Sequence, residues 1–157
     1  MYWLPDLNVW ETGNQYQDAA ALCHKYHLGW PAAINAALSI EIYLKSFLAH
    51  QVLISDGIST QGFSDADRGH DLHELYQKIS PDIRQILEKK YKDSTGSDLQ
   101  EKITKYKDVY FHARYHHEPK SIQAINLEII DFSAGMRDLV ITASKVLHPK
   151  VETPQQR

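Results

Sequence analysis

Pro31-Ala32-Ala33-Ile34-Asn35-Ala36-Ala37-Leu38-Ser39-Ile40-Glu41-Ile42-Tyr43-Leu44-Lys45-Ser46-Phe47-Leu48 is the stretch whose reading decides the fold. It is apolar on nearly every side, and a helix of that kind belongs at the centre of a bundle rather than on its surface. Proline suits the first turn of a helix, so the reading starts this one at Pro31 and carries it to about Ser55. Its polar residues stand out against that background. Glu41 and Lys45 are four apart and meet on one edge of the helix. A carboxylate on so apolar a helix needs a partner, because unpaired charge in a core is strongly destabilising.

Outward from this helix the chain reads as helix after helix. Residues 1–15 carry Trp3, Leu4, Leu7, Val9 and Trp10 without a sustained period, which suggests an aromatic arm packed on the body. A first helix is expected from Gln15 or Tyr16 to about Leu28, closed by Gly29. Ser55 to Gly69 is polar and glycine-rich and reads as a loop. Asp71, with Glu74 three residues on, resembles an acidic capping box that opens a short helix to Ile79. Ser80-Pro81 restarts helix, and Ser94-Thr95-Gly96 stops it. Ser97 caps a further helix on which Leu99, Ile103, Tyr106, Tyr110, Ala113 and His117 recur at helical spacing, until Pro119 ends it. A last helix follows, with Ile122, Ile125, Ile129, Phe132, Met136, Val140, Ala143 and Leu147 on one side, then a flexible tail over 149–157. No segment alternates well enough to be a strand. The expectation is an all-α antiparallel bundle of five to six helices over residues 16–148.

Bulk properties narrow the function. The chain has 157 residues, 43% hydrophobic and 24% charged, enough for one domain with a real core. A net charge of -3 argues against a protein that coats nucleic acid, while leaving room for a local cationic cleft. Cys23 is the only cysteine, so neither an intrachain disulfide nor a Cys-rich zinc module can form. The amino terminus lacks a signal-peptide pattern, and charged or polar residues within 32–54 make that segment a poor membrane span, so the reading is cytoplasmic. The close histidine pairs His24/His27, His70/His73 and His112/His116 lack evident further ligands, and no HExxH is present, so no metal is expected. Phosphate-binding glycine loops and the serine-hydrolase elbow are missing too, so no cofactor is expected.

Chemistry concentrates in Tyr110-Phe111-His112-Ala113-Arg114-Tyr115-His116-His117-Glu118. Metal-independent RNA cleavage needs a proton carrier and a cation on the phosphorane. Histidine and arginine are those residue types. Arg114, His116, His117 and Glu118 are therefore the candidate catalytic set. The same residues also describe a cationic helix end that answers the helix dipole and pairs with Glu118 or Glu41. A Glu41–Arg114 pair across two helices is the specific expectation.

Three segments, Asn35-Ala36-Ala37-Leu38-Ser39-Ile40-Glu41-Ile42-Tyr43-Leu44-Lys45, Gly69-His70-Asp71-Leu72-His73-Glu74-Leu75-Tyr76 and Ala113-Arg114-Tyr115-His116-His117-Glu118, resemble in order the landmarks of HEPN-type helical domains. The resemblance implies an antiparallel bundle, homodimerisation, and a link to prokaryotic defence, toxin–antitoxin or RNA-processing systems. It also implies RNA or nucleotide as ligand, with Asn35, Glu41, Lys45, His70, Asp71 and Tyr115 supporting the site. Many such domains are metal-independent ribonucleases with an arginine followed four to six residues later by a histidine. Arg114 matches the arginine, but Glu118, Pro119 and Lys120 stand where the histidine would be, and His116 and His117 come earlier. Other members are non-catalytic modules, so a homodimeric scaffold that engages a protein partner is the alternative.

Overall fold

The structure is a computed structural model that describes residues 4–55, 60–65, 69–118, 124 and 126–149. It is a helical bundle. Its helices are α1 (Leu7–Lys25), α2 (Gly29–Ser46), α3 (Leu72–Lys78), α4 (Pro81–Thr95), α5 (Leu99–Tyr106), α6 (Val109–Arg114) and α7 (Glu128–Leu147). A two-stranded antiparallel hairpin, β1 (His50–Ser55) with β2 (Thr60–Asp65), lies between α2 and α3 and pairs His50 with Asp65 and Ser55 with Thr60.

The all-round apolar character of α2 puts it at the centre, where it packs against α1, α3, α6 and α7. Ala32, Ala33, Ala36 and Ala37 are buried and let neighbouring helices approach closely, while Ile40, Tyr43 and Leu44 fill the space beyond. On α7 the expected apolar face is the one buried: Ile129, Phe132, Met136, Val140 and Ala143. Ile122 and Ile125, expected on the same helix, lie outside the described residues, as do residues 150–157 of the expected tail.

Several boundaries differ from the sequence reading, each for a physical reason. Helix α1 starts at Leu7, within the segment taken as an arm, because the Asp6 carboxylate accepts the Asn8 and Val9 amides at 2.8 and 3.1 Å. Trp10 then packs against the core and donates its indole N–H to the Arg137 carbonyl. Gly29 begins α2 instead of ending α1. Helix α2 stops at Ser46 and His50–Ser55, expected at its end, form β1, while part of the expected 55–69 loop is strand β2. The single helix expected after Ser97 is broken at Lys107-Asp108 into α5 and α6, and its N-cap is Asp98, which accepts the Glu101 amide at 2.8 Å. The Asp71 cap on Glu74 and the stop of α4 at Gly96 are as the sequence suggests, and Gly96 makes that stop in the left-handed conformation.

Among the described residues no buried side-chain nitrogen or oxygen is left without a hydrogen-bond partner. The Tyr43 hydroxyl and Arg137 Nε both donate to Asn14 Oδ1 at 2.9 Å, tying α1, α2 and α7 together. Burial, the largest effect, raises the Tyr43 pKa despite the opposing guanidinium. Ser39 and Ser133 hydrogen-bond to each other across the α2–α7 contact.

Candidate functional site

Glu41 sits mid-way along α2 with its side chain only 4% exposed. Its carboxylate is fully engaged. Lys45 Nζ, one turn on, donates to Oε1 at 2.7 Å, and His70 Nδ1 lies 3.1 and 3.0 Å from Oε1 and Oε2. These two partners explain how a carboxylate persists in the most apolar helix. His70 reaches this position because it immediately precedes the Asp71 cap of α3, and α3 packs on α2.

The His70 ring carries the site on to α6. It stacks on Tyr110 at 5.2 Å between centroids and meets the edge of Phe111 at 5.7 Å. Arg114 folds back over the preceding turn, as helical side chains do, with Cζ 4.5 Å from the centre of the Tyr110 ring. The Tyr115 and Phe111 rings are 5.2 and 5.8 Å away. Lys45, Glu41, His70, Tyr110 and Arg114 therefore form one continuous array from the core to the surface.

The expected Glu41–Arg114 ion pair does not form. Lys45 and His70 already occupy the carboxylate, and aromatic faces hold the guanidinium. Among the described residues no carboxylate stands within 4.0 Å of Arg114, whose one hydrogen bond, at 3.4 Å, goes to the Tyr110 hydroxyl. Arg114, Phe111 and Tyr115 are exposed, while Ala113 between them is buried against the bundle.

The candidate proton carriers face elsewhere. His116 stacks on Trp30 at the start of α2, with centroids 4.2 Å apart, and donates from Nδ1 to the Ala113 carbonyl at 3.1 Å. His117 stands edge-on to His116 at 5.9 Å, and the Glu118 amide caps back onto the Tyr115 carbonyl at 2.8 Å. Because His70 joins mid-α2 to Tyr110 while Trp30 meets His116, α6 runs antiparallel to α2. The guanidinium points toward the His70 end and His116 toward the Trp30 end. The set Arg114, His116, His117 and Glu118 is thus contiguous in sequence without converging on one point.

Of the supporting residues, Lys45 and His70 meet Glu41, Asp71 caps α3, and Tyr115 flanks Arg114. Asn35 donates to the Pro31 carbonyl at 2.8 Å within its own helix and does not enter the array. Tyr110 and Phe111, which link His70 to Arg114, were not among the predicted site residues. Their signal was the aromatic pair one turn before an arginine. Among the described residues no group of three or more His, Cys, Asp or Glu side chains is placed to hold a metal ion. No helix among them is long and apolar enough to cross a membrane.

Comparison with protein families, curated proteins and solved structures returns no match for the chain.

Proposed function

We propose that the chain is a HEPN-like cytoplasmic module that binds single-stranded RNA or nucleotides on the exposed face of α6. The observation that carries this reading is Arg114: an exposed guanidinium with no carboxylate partner among the described residues, set among three aromatic rings. A cation that grips phosphate beside rings on which bases stack is the usual composition of a single-strand platform. Support for the HEPN-like reading comes from position. The three sequence landmarks fall on α2, the start of α3 and the end of α6, and they are joined through the Glu41–His70–Tyr110–Arg114 contacts.

Charge-assisted hydrogen bonds contribute roughly 1.5–3 kcal/mol, so Arg114→Ala is expected to weaken binding by about 10- to 100-fold. It should also reduce the dependence of log Kd on log salt by about 0.7 per lost phosphate contact. Fluorescence anisotropy with a labelled single-stranded oligoribonucleotide at two salt concentrations measures both. Equal affinity in wild type and variant refutes the reading.

A scaffold role has one observation in its favour. Leu22, Tyr26 and Leu28 are all more than half exposed at the end of α1 and offer apolar surface to a second copy or another protein. Sedimentation at tens of micromolar, on the order of the affinity of a weak interface, decides whether the chain self-associates.

A further inference from the structure

We infer that Trp30, its ring plane set by His116, is a second nucleobase-stacking subsite, so that a single strand held by Arg114 runs along the α2–α6 contact to the start of α2. The inference rests on the RNA-binding reading above and adds a subsite and a path to it.

The indole is held without being used by the core. Trp30 is the second residue of α2 and is half-buried. Trp10 and Tyr110 pack against the hydrophobic core, whereas Trp30 is not among the described side chains that do. Its ring partner is His116, 4.2 Å away between centroids and only 11° from parallel. His116 is fixed in turn, because Nδ1 donates to the Ala113 carbonyl at 3.1 Å and His117 stands edge-on to the imidazole. One face of the indole is therefore covered, and no other ring among the described residues meets it. A large π-face that is already held in one plane loses little freedom when a base stacks on it. His116 thus has a role that its distance from the guanidinium does not hinder: it positions the indole.

Helical spacing puts this subsite on the same track as Arg114. Trp30, Ile34, Ala37, Glu41 and Lys45 recur at intervals of three and four and form one stripe of α2. Helix α6 packs on α2, with Ala113 buried. The Trp30–His116 stack closes one end of that contact, and His70, between Glu41 and Tyr110, closes the other. Tyr110 and His116 are six residues apart, about 9 Å at the helical rise, or about three bases at about 3.4 Å per stacked base. A strand with a phosphate on Arg114 and a base beside Tyr110 accordingly reaches Trp30 two or three nucleotides further on. The ligand class is a single strand of at least three nucleotides. A mononucleotide fills the Arg114 end alone, and a duplex, whose bases are already stacked on each other, cannot use the indole.

The test measures how adenosine monophosphate and single-stranded tetraadenylate displace a labelled oligoribonucleotide from the whole chain, with melting curves on every variant. Wild type should bind the tetranucleotide more tightly than the mononucleotide. Trp30→Leu should weaken the tetranucleotide by about 5- to 150-fold, the worth of one stacked base, and leave the mononucleotide as in wild type. Trp30→Phe, which keeps a smaller ring, should fall between the two. Tetranucleotides with one abasic residue at each position in turn supply the second arm. One position should cost as much as Trp30→Leu, and the two losses should not add. If Trp30→Leu does not fold, the abasic series on wild type decides alone: tryptophan fluorescence should be quenched by the intact tetranucleotide and not by the one lacking the critical base. Tetranucleotide affinity unchanged in a folded Trp30→Leu, or an equal loss for both ligands, overturns the inference and leaves the binding reading standing. So does an abasic series without a critical position. Wild type that binds neither ligand nor the labelled strand refutes the binding reading itself.

Discussion

Replacing Glu41 with alanine perturbs the centre of the array. The carboxylate is 4% exposed and Lys45 only 13%, so Glu41→Ala leaves an ammonium largely buried beside apolar helix with no counter-charge. It also removes the acceptor of His70 Nδ1. Breaking one partner of a buried pair costs about 3–5 kcal/mol, and the lower end applies here because the long Lys45 stem can move its head toward water. For a chain of 157 residues, about 2–4 °C of Tm per kcal/mol gives a fall of roughly 6–12 °C. The double variant Glu41→Ala/Lys45→Met removes the stranded charge and is expected to recover roughly 1–2 kcal/mol relative to Glu41→Ala. Thermal and urea melts of wild type, both single variants and the double variant measure the coupling. A Tm that falls by less than about 2 °C in Glu41→Ala, or losses that simply add in the double variant, would refute the buried-pair account.

Other consequences follow from the packing and the charges. A Cβ on Gly13 would stand 2.6 and 2.8 Å from ring carbons of the fully buried Tyr43. Gly13→Ala should therefore destabilise in urea unfolding, the overpacking of about 1–3 kcal/mol outweighing a helix-propensity gain of at most about 1. Hydrogen bonds from Lys102, Lys105 and Tyr106 hold the Glu128 carboxyl down at about 2. Its stabilising effect is thus complete above the ordinary carboxylate range and is lost as pH falls from there toward about 2. The urea midpoint of wild type should drop more between pH 7 and pH 2.5 than that of Glu128→Gln.

The central helix was legible because nothing but burial accommodates eighteen residues of nearly continuous apolar character, and the caps at Asp71 and Gly96 because their chemistry is local. The start of α1 was hidden for the opposite reason. Leu7 to Asn14 has no helical period of its own, and its helix is held by the Asp6 cap and by contacts of Trp10 and Gly13 with residues far along the chain. The hairpin was misread as helix and loop because an apolar run joined directly to a helix has no mark of its own at the point where the helix ends. At the site, the i,i+4 spacing already paired Glu41 with Lys45, and the family resemblance put His70 among the supporting residues without saying what it meets. What spacing could not convey is that Arg114 turns back along α6 onto Tyr110, and that His70 is the second partner of the carboxylate.

The claim that RNA lies on α6 is tested most directly by where RNA touches the protein. Ultraviolet cross-linking of a 4-thiouridine oligoribonucleotide, followed by mass spectrometry of the digested complex, reads those contacts residue by residue. The account predicts cross-links at Tyr110, Phe111 and Tyr115, lost when Arg114 is replaced by alanine. Cross-links that fall on α1 or α4, and persist in Arg114→Ala, would contradict it.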